Sequence, residues 1–178
     1  MSAGQHCLVL IGPMGAGKSS TGRRVARSLG VPFTDTDAVV VREHGPIAEL
    51  FRAHGEQHFR TLERAVVAEA LTRGGVVALG GGAVMDSSTR AALHAHDVAL
   101  LTVSAAAVQS RIRGNTRPLL AEENPVQHWQ RILAERMPTY TAVADRVWDT
   151  SAMPMSATAA EIAEWARERG HQREQESV

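Results

Sequence analysis

Cys7-Leu8-Val9-Leu10-Ile11-Gly12-Pro13-Met14-Gly15-Ala16-Gly17-Lys18-Ser19 runs from a continuous apolar stretch into a glycine-rich turn. Five apolar residues without alternation are the pattern of a central strand buried on both faces. The turn fits G-x-x-x-x-G-K-[ST] and is followed by a stretch with helical spacing, the context in which that motif binds phosphate. Its glycines let backbone N–H groups turn inward at a helix N-terminus, where the helix dipole favours an anion. Gly12, Gly15, Ala16, Gly17, Lys18, Ser19 and the adjoining Ser20 are therefore expected to hold a nucleoside triphosphate. Lys18 would reach the β- and γ-phosphates, and the Ser19 hydroxyl would ligate Mg²⁺.

The competing reading is a strand-to-helix turn with no ligand. Composition argues against it. Of nineteen basic residues eighteen are arginine, and the one lysine is Lys18. A compact ammonium has been kept at the one position where a planar guanidinium is a poor replacement.

Working outward, the helix after the loop is expected from about Lys18 to Leu29, with Gly30 as its C-cap. Pro32–Asp37 reads as a second strand. Residues 38–73 look helical with breaks at Gly45-Pro46 and Gly55, and Phe59, Leu62, Val66 and Ala70 mark one face. Val76–Leu79 is a third strand, stopped by Gly80-Gly81-Gly82. Asp86 caps a helix to about His94, Val98–Val103 is a fourth strand, and a helix runs from Ser104 to about Arg113. Gly114–Asn124 is polar and turn-rich, the pattern of a mobile loop. Val126, Trp129, Leu133 and Arg136 share a helical stripe that Pro138 ends or kinks. Arg146–Asp149 is a fifth strand, and Ala157–Arg169 a closing helix with Ile162 and Trp165 inward. The polar tail from His171 is expected to fray. Alternating strands and helices over 178 residues imply one α/β domain, a parallel sheet with helices on both faces.

Nineteen basic and nineteen acidic residues leave a net charge of +0, which speaks against a dedicated nucleic-acid or anionic-membrane binder. No apolar run approaches the roughly 20 residues that span a bilayer. The start carries no basic, signal-like segment and Cys7 is the single cysteine, so the expected location is the cytoplasm. Balanced charge and ordinary composition permit a monomer.

A receiving site is suggested by three further features: an acidic pair, a glycine run and a set of arginines. Asp35-Thr36-Asp37 closes the second strand, and residues two apart on a strand face the same side. Both carboxylates can then face the crevice at the carboxyl edge of the sheet, although an isolated D-x-D is more often a pair of helix-capping acids. Gly80-Gly81-Gly82 is costly for a plain connection, and close backbone approach to a ligand would account for it. Arg60, Arg117 and Arg136 are candidate anion binders. Arg60 pairs at i,i+4 with Glu56, which on a solvated face is worth only about 0.3–0.5 kcal/mol. Arg136 extends an apolar stripe, and a buried guanidinium needs an anionic partner such as a carboxylate. The imidazole pairs His54/His58 and His94/His96 bring no cysteine or carboxylate at zinc-ligand spacing. Trp129, Trp148 and Trp165 read as core, as does Cys7.

Taken in series, these motifs resemble shikimate kinase. The likeness runs from Cys7 to about Thr150: the phosphate loop, Asp35-Thr36-Asp37, Gly55-Glu56…Phe59-Arg60…Glu63, Gly80-Gly81-Gly82-Ala83-Val84, Arg117-Pro118-Leu119-Leu120, and Arg136-x-Pro138-x-Tyr140 followed by Ala144-Asp145. The resemblance implies transfer of the γ-phosphoryl group of ATP to the 3-hydroxyl of shikimate, in the route to chorismate and the aromatic amino acids. It implies a three-layer P-loop fold with a five-stranded parallel sheet of order 2-3-1-4-5. A lid would map to about 114–124 and a helical shikimate-binding subdomain to about 35–62. Asp37 would bind and orient, or deprotonate, the attacking hydroxyl, and Asp35 would hold Mg²⁺ through water. Arg60 and Arg136 would clamp the carboxylate, with the backbone of Gly80, Gly81 and Gly82 against the ring substituents. Arg117 would reach the phosphates from the lid. Arg111, or Arg113 two positions on, would lie against the adenine.

Two other functions fit the same loop. One is a related kinase acting on gluconate or another polyhydroxy acid, which the triple glycine and the arginine pair disfavour. The other is a nucleotide-binding module without catalysis, in which Asp37 and Arg117 would have no purpose.

Overall fold

A computed structural model describes residues 6–112 and 125–176. Its centre is a five-stranded sheet of β1 (Cys7–Ile11), β2 (Phe33–Asp35), β3 (Gly75–Ala78), β4 (Asp97–Thr102) and β5 (Arg146–Asp149). The strands are all parallel and ordered β2-β3-β1-β4-β5, as the family resemblance implied. Among the described residues seven α-helices accompany them: α1 (Lys18–Leu29), α2 (Thr36–His44), α3 (Ile47–Arg73), α4 (Ser87–Leu93), α5 (Ala105–Ile112), α6 (Pro125–Val143) and α7 (Met155–Glu176).

Strand alternation divides the core. On β1, Leu8 and Leu10 face one layer with Val25, Trp129, Trp148, Ile162 and Trp165. Cys7, Val9 and Ile11 face the other, with Val67, Leu71, Leu93 and Tyr140. All three tryptophans are buried, as their helical and strand positions predicted. A third, smaller cluster of Val39, Val40, Leu50, Phe59 and Val66 joins α2 to α3.

Three expectations are corrected. The second strand stops at Asp35, and Asp37 lies in the first turn of α2. The Asp35 carboxylate accepts from the Ala38 amide and so starts the helix two residues early. Of the two outcomes expected at Pro138, an end or a kink, the first is excluded, because the helix continues to Val143. Proline there removes one backbone donor, and the residue four back, Ala134, is exposed, so water can take up the carbonyl. Finally, α7 extends well past Arg169 to Glu176, because the buried Asp97 at the start of β4 accepts from Arg169 Nε at 3.0 Å and from Arg173 at 2.6 Å. The polar tail is ordered by a charge that the strand supplies.

The break expected at Gly55 is present as a kink inside α3, where Gly55 takes φ 80, ψ 171. Gly45 ends α2, and Gly30 caps α1 in the left-handed region. The segment 114–124 expected to form a lid, with Arg117, and Arg113, expected as an alternative to Arg111 against the adenine, lie outside the described residues.

Candidate active site

The phosphate loop joins β1 to α1 at the carboxyl edge of the sheet. Gly12 has φ 135, and a Cβ there would sit 2.1 Å from the Leu101 carbonyl oxygen, so conformation and space both demand glycine. Gly15 and Gly17 also have positive φ. Lys18 folds back over the loop, its ammonium donating to the carbonyls of Gly12 at 2.7 Å and Pro13 at 2.9 Å. Three side chains brace the loop from behind. The Trp129 indole N–H donates to Met14 O at 2.9 Å, Thr150 Oγ1 to Ala16 O at 3.0 Å, and Arg111 to Gly15 O at 3.0 Å. Arg111 also donates to the Thr150 carbonyl at 3.0 Å.

Beside the loop opens a cleft of roughly 390 Å³, in the range of small-molecule sites. Ser19 and Asp35 line its inner end, and the Ser19 hydroxyl donates to the Asp35 carboxylate. Asp37, Arg60, Glu63 and Arg136 form a polar wall, Gly81 and Gly82 contribute backbone, and Val41, Pro46, Ile47, Phe51 and Phe59 form an apolar wall. The acids, the two described candidate arginines and two of the three glycines, Gly81 and Gly82, thus converge on one cleft, while Gly80 is buried and does not line it. Asp35 and Asp37 both reach it, but across a strand-to-helix junction instead of along a strand.

The glycine run has a second reason to lack side chains. A Cβ on Gly80 would stand 2.5 Å from Asp37 Oδ1 and 2.7 Å from Glu63 Oε1, and one on Gly82 would stand 2.5 Å from the Arg60 guanidinium. The polar wall itself packs on this backbone, so a side chain there would displace the charged groups before any ligand arrived. At Gly81 the nearest atoms are 3.6 Å away, leaving ordinary clearance.

Glu63 is the residue that sequence reasoning passed over except as part of a motif. It is only 4 % exposed, and Arg60 donates to it at 2.7 Å. Burial pushes its carboxyl up against the pull of Arg60, and the neighbouring Asp37 charge adds to that push. For Arg60, burial opposes the charge, but Glu63 and then Glu56 outweigh it and raise its pKa above the ordinary guanidinium value. Arg60 is thus clamped between an exposed and a buried carboxylate, over Gly82. The surface pairing with Glu56 is real, yet Glu63 holds the guanidinium in the cleft. The available signal was Glu63 at i+3 from Arg60 on the face of Phe59 and Val66.

Helix α6 lies across this edge of the sheet and is tied at two points. Trp129 holds the phosphate loop, and about 16 Å further along, Tyr140 OH donates to the Gly81 carbonyl. Burial raises the Tyr140 pKa against the pull of Arg136, so the phenol stays a donor. Arg136 sits between the two ties, within 3.7 Å of where a Gly81 Cβ would be.

The shikimate kinase family model matches residues 14–167. The chain belongs to this family. It is 44% identical to a shikimate kinase of Corynebacterium efficiens, over 85% of this chain and 92% of that protein. It is 48% identical to one of Mycobacterium avium, over 80% and 83%. Among solved structures, the shikimate kinase of Acinetobacter baumannii in complex with shikimate superposes with a TM-score of 0.88 at 34% identity, covering 93% of this chain and 94% of that one. Membership of the shikimate kinase family makes the chain an ATP-dependent kinase. The fold expected from the sequence is the family's fold. Among the described residues no helix is long and apolar enough to cross a membrane.

Proposed function

We propose that the chain phosphorylates the 3-hydroxyl of shikimate with ATP, giving shikimate 3-phosphate and ADP, in aromatic amino acid biosynthesis. The observation that carries this reading is the polar wall: one carboxylate, Asp37, and two guanidinium groups, Arg60 and Arg136, on the cleft that begins at the phosphate loop. That set suits an acceptor bearing both hydroxyls and a carboxylate. The apolar wall of Ile47, Phe51 and Phe59 suits the hydrocarbon face of a ring.

Phosphoryl transfer passes through a loose transition state, so catalysis is mostly alignment and charge neutralisation. Asp37 orients the attacking hydroxyl. Arg60 and Arg136 grip the carboxylate, and Glu63 fixes Arg60 for that task. Peptide groups of Gly80, Gly81 and Gly82 meet the ring substituents. Lys18, moving off its loop carbonyls, and Arg117 from the lid at about 114–124 engage the phosphates. The edges of the Arg111 guanidinium are held by Gly15 and Thr150, which leaves its flat face for the adenine. The acceptor subdomain would comprise about residues 35–62. Ser19 and Asp35 offer a hydroxyl and a carboxylate already in contact, hard oxygen donors of the kind Mg²⁺ prefers, with Asp35 acting through water. Bound there, Mg²⁺ would neutralise charge on the β- and γ-phosphates.

The test is ADP release by the purified protein with Mg²⁺-ATP plus shikimate, plus gluconate, or plus neither. Shikimate-dependent release is expected. Stimulation by gluconate alone would move the acceptor assignment to polyhydroxy acids, and ATP binding without stimulation by either would favour a non-catalytic module.

A further inference from the structure

The kink in α3 carries a feature that the phosphotransfer reaction does not use. His54 and His58 flank Gly55, and their rings stand with centroids 4.8 Å apart at 48°. Both are exposed, and among the described residues neither makes a hydrogen bond or ion pair. The closeness is not a by-product of regular i,i+4 spacing, because Gly55 between them has φ 80, ψ 171, a conformation left almost wholly to glycine. A break that could have splayed the rings instead holds them together.

Their separation matches that of a two-imidazole chelate. A zinc–imidazole bond of about 2.0–2.1 Å puts each ring centroid about 3.2 Å from the metal. Ligand angles between a right angle and the tetrahedral value then give centroid separations of about 4.5–5.2 Å. The observed 4.8 Å lies inside that interval. Imidazole is a favoured ligand for zinc, copper and nickel. The described residues hold no group of three or more His, Cys, Asp or Glu placed for a metal, so the two remaining zinc positions would belong to water and the ion would exchange with solvent. The other close pair, His6 and His96, is further apart at 5.8 Å and otherwise engaged, His6 with Asp97 and His96 with the Cys7 amide.

We propose that His54 and His58 form an exchangeable two-imidazole site for Zn²⁺ that clamps the α3 kink. One ligand lies on each side of Gly55, so the ion spans the break. The same break is crossed by Phe51 and Phe59, whose rings meet at a 40° tilt with centroids 4.9 Å apart and line the cleft. A clamp at the histidines therefore stiffens the apolar wall from outside, without touching the polar wall or the phosphate loop.

The experiment uses the full chain without a histidine tag and without nucleotide, titrated with zinc chloride in competition with a chromophoric chelator, and followed by amide hydrogen exchange. One Zn²⁺ per chain is expected, with exchange slowed across residues 47–62. His54→Ala and His58→Ala should each weaken binding about tenfold or more and abolish the slowing, while melting without metal stays unchanged, as befits exposed side chains. His96→Ala should bind as the wild type does. Zinc binding that survives both single substitutions, binding lost in His96→Ala, the absence of stoichiometric binding, or binding with unchanged exchange in α3 would each overturn the proposal.

Discussion

Lys18 shows how a single side chain is chosen by shape as much as by charge. Its ammonium donates to two loop carbonyls at 2.7 and 2.9 Å, as a compact point charge on a flexible stem that a bulkier planar guanidinium does not reproduce. Lys18→Arg is therefore expected to lower kcat by about a hundredfold or more although the charge is kept, the scale seen when an oriented donor is lost from a transition state. Full activity in an ADP-release assay would remove the special role argued for the lone lysine. At the other end of the cleft, Arg136→Ala deletes a charge-assisted contact worth about 1.5–3 kcal/mol. The KM for shikimate should rise about tenfold or more while that for ATP moves by less than about twofold. An equal rise in both would place Arg136 outside the acceptor site.

At the scale of elements, α6 does more than fill a layer. Trp129 buries its ring in one core cluster and sends its N–H to Met14 in the phosphate loop, while Tyr140 packs in the opposite cluster and holds Gly81. The helix is in effect a strut between the phosphate loop and the Gly81 backbone, with Arg136 carried between its ties. Trp129→Phe keeps most of the apolar ring but strands the Met14 carbonyl without its donor. A loss of about 1–3 kcal/mol in denaturant unfolding is expected, together with a lower kcat/KM for ATP. Unchanged stability and unchanged ATP kinetics would show that the hydrogen bond does not hold the loop. The α3 kink is a second functional element, since it turns Phe51 back onto Phe59 to build the apolar wall.

Across the whole molecule, α7 links the far edge of the sheet to the phosphate loop. Near its start, Met155 packs within 3.8 Å of where a Gly17 Cβ would lie. Its middle is joined to α1 through Arg167 and the Ser28 carbonyl at 2.9 Å. Its end is held by Asp97, which is 2 % exposed and also meets His6 at 2.9 Å. Burial works against the Asp97 charge, but His6, Arg173 and Arg169 outweigh it and hold the carboxyl down at about 2. A carboxylate depressed in the folded state stabilises above its unfolded pKa and loses that contribution as pH falls through the folded value. The cluster should therefore add about 2 kcal/mol above about pH 4 and lose it towards pH 2. Thermal melts of the wild type and Asp97→Asn should differ most above pH 4 and converge below it. A gap independent of pH would mean that the ion cluster adds nothing to the tether.

Much of this was written in local pattern. The β1 run, the phosphate loop and the breaks at Gly30, Gly45 and Gly55 depend on residues within a turn of one another, and so do the inward faces of Ile162 and Trp165. Periodicity and turn chemistry act over that range, which is why they were readable, and the series of motifs carried the family with them. What tertiary structure alone decided depends on partners far away in the chain. Asp35 could become a helix cap beside Ser19 only once β2 lay near α1. Glu63 became a buried counter-ion only when α3 closed over Gly80 and Gly82. Trp129 found its acceptor 115 residues away, and Arg173 found Asp97 at a separation of 76. Pro138 could be read as an end or a kink because its missing donor is a local fact, whereas the ties that carry α6 past it are distant. A burial cost and the charge that offsets it belong to different segments of the chain, so their balance exists only after the sheet has brought those segments together.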